Sequence, residues 1–161
     1  MVRFRIAPAH YDGSNEARER EWELALADLN ADCDGGLPTL TFERRRDGGA
    51  DIVVAGPAGA APARVSFPYA RLRSQLREYR DVIGKMARAD GGWAGSRDFD
   101  ALDYAKKLVH DEAGDIIKAK LDDHVVVEHP LARRMFTVIF LLSNNLPRHL
   151  VNRHRRHGSA G

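Results

Sequence analysis

Apolar and polar residues alternate strictly from Val2 to Ile6, the period of a strand with one buried face. Asp12-Gly13-Ser14-Asn15 reads as a turn, with Ser14 placed to cap the helix that follows. In that helix Trp22, Leu26 and Leu29 fall at i, i+4 and i+7, with Ala25 beside them. They predict one apolar stripe on an otherwise acidic helix, closed by Asp34-Gly35-Gly36. Thr39 to Arg44 alternates again, Asp47-Gly48-Gly49 signals a turn, and Ile52-Val53-Val54 is β-branched. After a loop from Gly56 to Pro62, Arg64 to Phe67 makes a third short strand. Together these strands predict an antiparallel meander with one face to be covered and an outer edge open to a partner strand.

Beyond Pro68 the period changes. Leu72, Leu76, Tyr79, Ile83 and Met86 recur at helical spacing, and Gly91 to Ser96 breaks the helix they define. A longer helix is predicted from about Asp98 to Leu121, with Asp98, Asp100 and Asp103 at its positive N-terminus. Its apolar stripe is Leu102, Ala105, Val109, Ala113 and Ile116. Val125 to Val127 reads as a short strand, and His129-Pro130 as a helix start with proline in the first turn. Leu131 to Leu142 is apolar on nearly every side, the signature of a central core helix. The predicted class is α+β: a small antiparallel sheet with about four helices and a helical C-terminal half. One domain takes residues 1–147, and residues 148–161 read as a basic, disordered tail.

A chain of 161 residues suits one domain. Its 43% hydrophobic and 30% charged content excludes a collagen, a disulfide-rich miniprotein and a wholly disordered chain. The single cysteine, Cys33, allows neither an internal disulfide nor a cysteine metal cage. With no apolar signal core at the start, this predicts a cytoplasmic protein. No apolar run reaches the ~18 residues of a membrane span.

The net charge of +2 hides strong segregation. Arg148, Arg153, Arg155 and Arg156 account for four of the 25 bases, leaving 21 against 23 acids in residues 1–147. Asp12 to Asp34 holds eight acids and two bases, whereas Arg64 to Arg88 holds seven bases and two acids. Either run is a solvated face or a partner surface.

A helical wheel from Leu102 puts the predicted stripe between about −60° and +20° and Glu112 at about −80°, on its apolar edge. Asp103, Lys107, His110 and Gly114 form a second ridge at about +80° to +140°. Gly114 inside a helix suggests close approach by another segment or a ligand. Lys107, His110 and Gly114, joined by Arg133 or Arg134, make a candidate site for a phosphate or carboxylate. A catalytic version uses His110 as general base, oriented by Asp103 or Glu112. The plainer alternative has Asp103, His110 and Glu112 as structural polar groups and Arg133 paired with a carboxylate. Asp122, Asp123, His124, Glu128 and His129 do not converge as metal ligands. In the tail, the four arginines are a candidate nucleic-acid contact without interleaved aromatics.

The segments Asp103-Tyr104-Ala105-Lys106-Lys107-Leu108-Val109-His110-Asp111-Glu112-Ala113-Gly114 and Ala132-Arg133-Arg134-Met135-Phe136-Thr137, with their spacing, resemble uncharacterised protein family 0262, found mainly in alphaproteobacteria. The pairs Asp28-Leu29, Leu72-Arg73 and Glu78-Tyr79 resemble the same family in order, over roughly residues 1–143. The chain departs from the pattern at Ala70-Arg71, at Asp111 where the family has Asn, and in its Arg/His tail. The resemblance implies no activity, substrate or cofactor. There is no G-x-S-x-G, P-loop or H-E-x-x-H. The residues therefore point to a cytoplasmic binding or regulatory module without catalysis, cofactor or membrane contact, acting through a protein partner or a small anion. RNA or ribosome association through the tail and the Arg64 to Arg88 run is the alternative. A small-molecule enzyme centred on His110 and Lys107 is the third reading.

Overall fold

The computed structural model describes residues 3–31, 38–90 and 96–143, with backbone only at 89, 90 and 96–98. The N-terminal alternation becomes β1 (Arg3–Ile6), which buries Phe4 and Ile6 and exposes Arg3 and Arg5. A 3-10 turn at Pro8–Tyr11 leads into α1 (Glu16–Asn30). Asn15, not Ser14, is the cap: it has extended backbone, and its side-chain oxygen accepts from the Arg18 N–H at 2.9 Å. Ser14 stands one residue too early and donates instead to Glu19 at 2.6 Å. Trp22 and Leu29 are buried as the stripe predicts, Ala25 and Leu26 only half so. The indole N–H of Trp22 donates to the Leu141 carbonyl at 3.2 Å, and its ring meets Tyr11 edge-on.

The meander is β2 (Thr39–Arg44), β3 (Ala50–Val54) and β4 (Ala63–Phe67), paired antiparallel in sequence order. β1 joins it parallel to β2, so the sheet is mixed, in the order β1-β2-β3-β4. The β2–β3 turn is held by Asp47, whose carboxylate accepts from the Gly49 N–H at 2.9 Å. That bond is the main favourable cause holding Asp47 below the usual carboxylate range. Gly48 takes the positive φ of +94° that the turn requires.

Both sheet edges carry a side-chain cap, which narrows the expectation of an edge open to a partner strand. Asn30 accepts from the Phe4 N–H and donates to the Phe4 carbonyl, both at 2.9 Å, imitating a neighbouring strand along β1. At the other edge the Lys120 ammonium donates to the Ser66 carbonyl and lies 5.3 Å from the Phe67 ring centroid.

The C-terminal half is α2 (Tyr69–Asp90), α3 (Ser96–Leu121) and α4 (His129–Leu142). Val125 to Val127 is an irregular connection and not the predicted strand; Lys118 anchors it by donating to the Val127 carbonyl at 3.0 Å. α4 is the central helix, as its near-uniform apolarity predicts: it packs on α1, α3 and β2. It buries Ala132, Met135, Phe136 and every residue from Val138 to Leu142. α2 packs on α3 through Leu72, Leu76, Tyr79, Ile83 and Met86, the predicted positions, all buried. Among the described residues no helix is long and apolar enough to cross a membrane. Cys33, Gly35, Gly36 and the tail arginines lie outside the described residues.

Candidate functional site

α3 is turned on its axis relative to the predicted stripe. Its buried residues are Lys106, Val109, Ala113, Gly114, Ile117 and Leu121. Their mean direction is roughly 75° from the expected one, toward His110 and Gly114. Leu102, Ala105 and Ile116 are therefore only half-buried, and Glu112, expected on the apolar edge, is exposed. The cause is Gly114. A Cβ there would stand 2.9 Å from Arg133 Cγ and 3.2 Å from His129 Nε2, so the missing side chain lets α4 cross at that point.

This rotation carries His110 into the core. Its ring meets Tyr79 edge-on at 4.7 Å and Phe136 at 5.5 Å. Nδ1 lies 2.9 Å from the Lys106 carbonyl, which can only accept, so Nδ1 carries the proton. Nε2 is then free to accept the Thr137 hydroxyl at 3.2 Å. Burial lowers the imidazole pKa to about 4, reinforced by the Lys106 and Arg133 charges and opposed by the Lys106 carbonyl. A neutral, doubly satisfied imidazole is poorly suited to general-base catalysis at neutral pH. Its expected orienting partners are elsewhere: Asp103 pairs with Lys107 at 3.0 Å, and Glu112 faces solvent.

The burial of His110 makes stability pH-dependent. Below pH 6.5 the unfolded chain takes up a proton that the folded chain refuses until about pH 4. Stability therefore falls through this window as pH falls, by about 3 kcal/mol from this one group. Urea unfolding of the chain and of His110→Gln at pH 7 and pH 4 measures it. The wild type is expected to lose the larger share, the difference being about 3 kcal/mol. Equal losses would contradict the assignment.

The remaining candidate anion ligands do not meet at one point. Lys107 is mostly exposed and tied to Asp103. Arg133 lies over Gly114 with Nε 3.0 Å from Asp111, too poorly aligned for a hydrogen bond and thus an ion pair only. Arg134 is directed at α1, where it donates to the Asp28 carbonyl at 3.2 Å. Gly114 is occupied by the crossing helix and offers no gap. Sequence reasoning also missed two groups. Lys106 is buried, its pKa lowered chiefly by that burial, and Glu21 is 2% exposed on α1. The i, i+3 spacing of Lys106 to Val109 was the available signal for Lys106.

Among the described residues no group of three His, Cys, Asp or Glu could hold a metal ion. His129 instead faces Asp115 at 3.0 Å, and Asp122 faces Lys118 at 3.3 Å.

The basic run resolves into two parts. Arg64 stands on β4 and is neutralised by Glu43 at 2.6 Å and Asp51 at 3.0 Å. Arg71, Arg73, Arg77, Arg80, Lys85 and Arg88 are all exposed on α2, and among the described residues none forms an ion pair. Glu78, Asp81 and Asp90 share that helix, leaving it a net charge of +3. Its apolar face is fixed on α3, so these cations are held in one direction. The acidic helix α1 rests on α4 and β1.

The model of the Uncharacterised protein family (UPF0262) matches residues 1–145. A UPF0262 protein of Acidiphilium cryptum is 31% identical over 131 residues, 78% of this chain and 80% of its own length. One from Rhodospirillum rubrum is 42% identical over 43 residues, 27% of each chain. One from Sphingopyxis alaskensis is 26% identical over 99 residues, 62% of this chain and 59% of its own. No solved structure matches the chain.

Proposed function

The chain belongs to the uncharacterised protein family UPF0262, and from that membership and the geometry above we propose a cytoplasmic, non-catalytic binding module that docks α2 on an acidic face of a protein partner. The observation that carries this reading is the row of six exposed cations on one rigid helix with no ion pair among the described residues. A surface of one sign steers an oppositely charged partner and fixes its orientation. A protein is favoured over nucleic acid because residues 1–147 carry 23 acids against 21 bases, so the cations of α2 form a confined patch and not a basic surface along which a polyanion would lie. Among the described residues no fully exposed aromatic side chain stands among the cations of α2: Tyr79 is buried beneath them, and Tyr69, at the start of the helix, is half-buried against the core.

The test is retention from a lysate of the native host by the full chain and by residues 1–147, with and without nuclease. One stoichiometric protein held by both forms, unaffected by nuclease and released by salt, is the expected result. RNA held by the full chain alone would overturn the reading in favour of the tail.

A further inference from the structure

The face of α3 turned away from the core carries a row of exposed apolar residues between two acids. Tyr104 is 64% exposed and Leu108 43%. Ala101 and Ala119 are exposed beside them, and Ala105 and Ile116 are half-buried. On the wheel these residues fall between about −160° and −40° from Leu102, with Glu112 and Asp115 the charged residues among them, Asp115 already held by His129 at 3.0 Å. The stripe is distinct from the cationic face of α2 and is poorly suited to the same acidic partner.

We infer that this stripe is the contact between two copies of the chain, with their α3 helices antiparallel about a two-fold axis at Leu108. A two-fold contact requires a surface complementary to itself. About this axis, residues equally far before and after Leu108 face each other. Leu108 meets its own copy, and Tyr104 meets the partner subunit's Glu112 in both directions. The phenol is a donor and the carboxylate an acceptor, so Glu112 gains a hydrogen bond on burial, while Asp115 keeps its own partner in His129. On the flank, the same operation brings Lys107 toward the partner subunit's Asp111, giving opposite charges across the seam. Within each copy these two already pair with Asp103 and Arg133, both at 3.0 Å, so the new contact extends an existing charge ladder. Ala101 and Ala105 are small enough for the helix axes to approach to about 8–10 Å.

Light scattering on the full chain over a wide concentration range tests this. The expected mass is that of two chains, falling to one chain in Leu108→Lys with unchanged helical circular dichroism. In a Cys33→Ser background, Leu108→Cys is expected to form a disulfide-linked dimer on oxidation, and Lys85→Cys on α2 is not. A wild-type monomer at every concentration overturns the inference, and so does a dimer that survives Leu108→Lys. Absence of the Leu108→Cys crosslink overturns the axis.

Discussion

Alanine at Gly49 is expected to destabilise the protein by about 3 kcal/mol or more. A Cβ at this position would stand 2.2 Å from the Phe67 carbonyl oxygen, 2.6 Å from the Tyr69 nitrogen and 2.8 Å from the Pro68 carbonyl carbon. All three are backbone atoms, so no rotamer change relieves the overlap. The junction between β4 and α2 has to move, and with it the pairing of Ala50 with Phe67 at the start of β3. Gly48→Ala is the comparison. Its φ of +94° is unfavourable for alanine, but its Cβ meets only the Tyr69 ring at 3.5 Å. Urea midpoints measure both. A Gly49→Ala cost no larger than that of Gly48→Ala would contradict the packing described.

Tyr79→Ala is expected to cost about 3–5 kcal/mol, and Tyr79→Phe less than about 1.5 kcal/mol. Tyr79 is 1% exposed and is the hub of the aromatic cluster joining the three C-terminal helices. Its ring lies edge-on to Phe140 at 4.5 Å, to His110 at 4.7 Å and to Phe136 at 5.7 Å. Truncation leaves a cavity against His110, and water entering it weakens the desolvation that lowers the imidazole pKa. Two readings follow from one variant: a lower urea midpoint and an upward movement of the His110 titration by NMR. A cost under about 1 kcal/mol, with the titration unmoved, would show that the cluster can close over the gap.

Strands and helices were legible in the sequence where one periodicity held alone. Leu72 to Met86 repeats without competition, and every residue of that stripe is buried. α4 needed no direction, being apolar all round. α3 was harder because it carries apolar residues on two faces. The stripe with Leu102 and Ala105 competed with one centred near His110, and Gly114 decided between them by letting α4 cross there. Gly114 was readable as a place of close approach, but not whether a helix or a ligand approaches. Pairing was not readable either: β1 joins β2 in parallel, and its outer edge is capped by Asn30, a helix residue that hydrogen-bonds Phe4 across the chain. Val125 to Val127 has strand-forming side chains, but among the described residues no strand pairs with it. The candidate anion residues share a segment without sharing a direction, since Arg133 and Arg134 are adjacent on α4 and point to α3 and α1 respectively. The charge runs were visible from composition, but only the fold separates Arg64, neutralised on the sheet, from the six cations of α2.

The most direct test of the proposed docking face is a charge reversal confined to it. Arg73→Glu, Arg77→Glu and Arg80→Glu together leave the apolar face of α2 intact, since all three side chains are exposed. Circular dichroism and the urea midpoint are expected to stay close to wild type. Retention of the protein partner from the native host, quantified beside the wild type, is predicted to be lost. Undiminished retention of that partner by the folded triple variant would contradict the account.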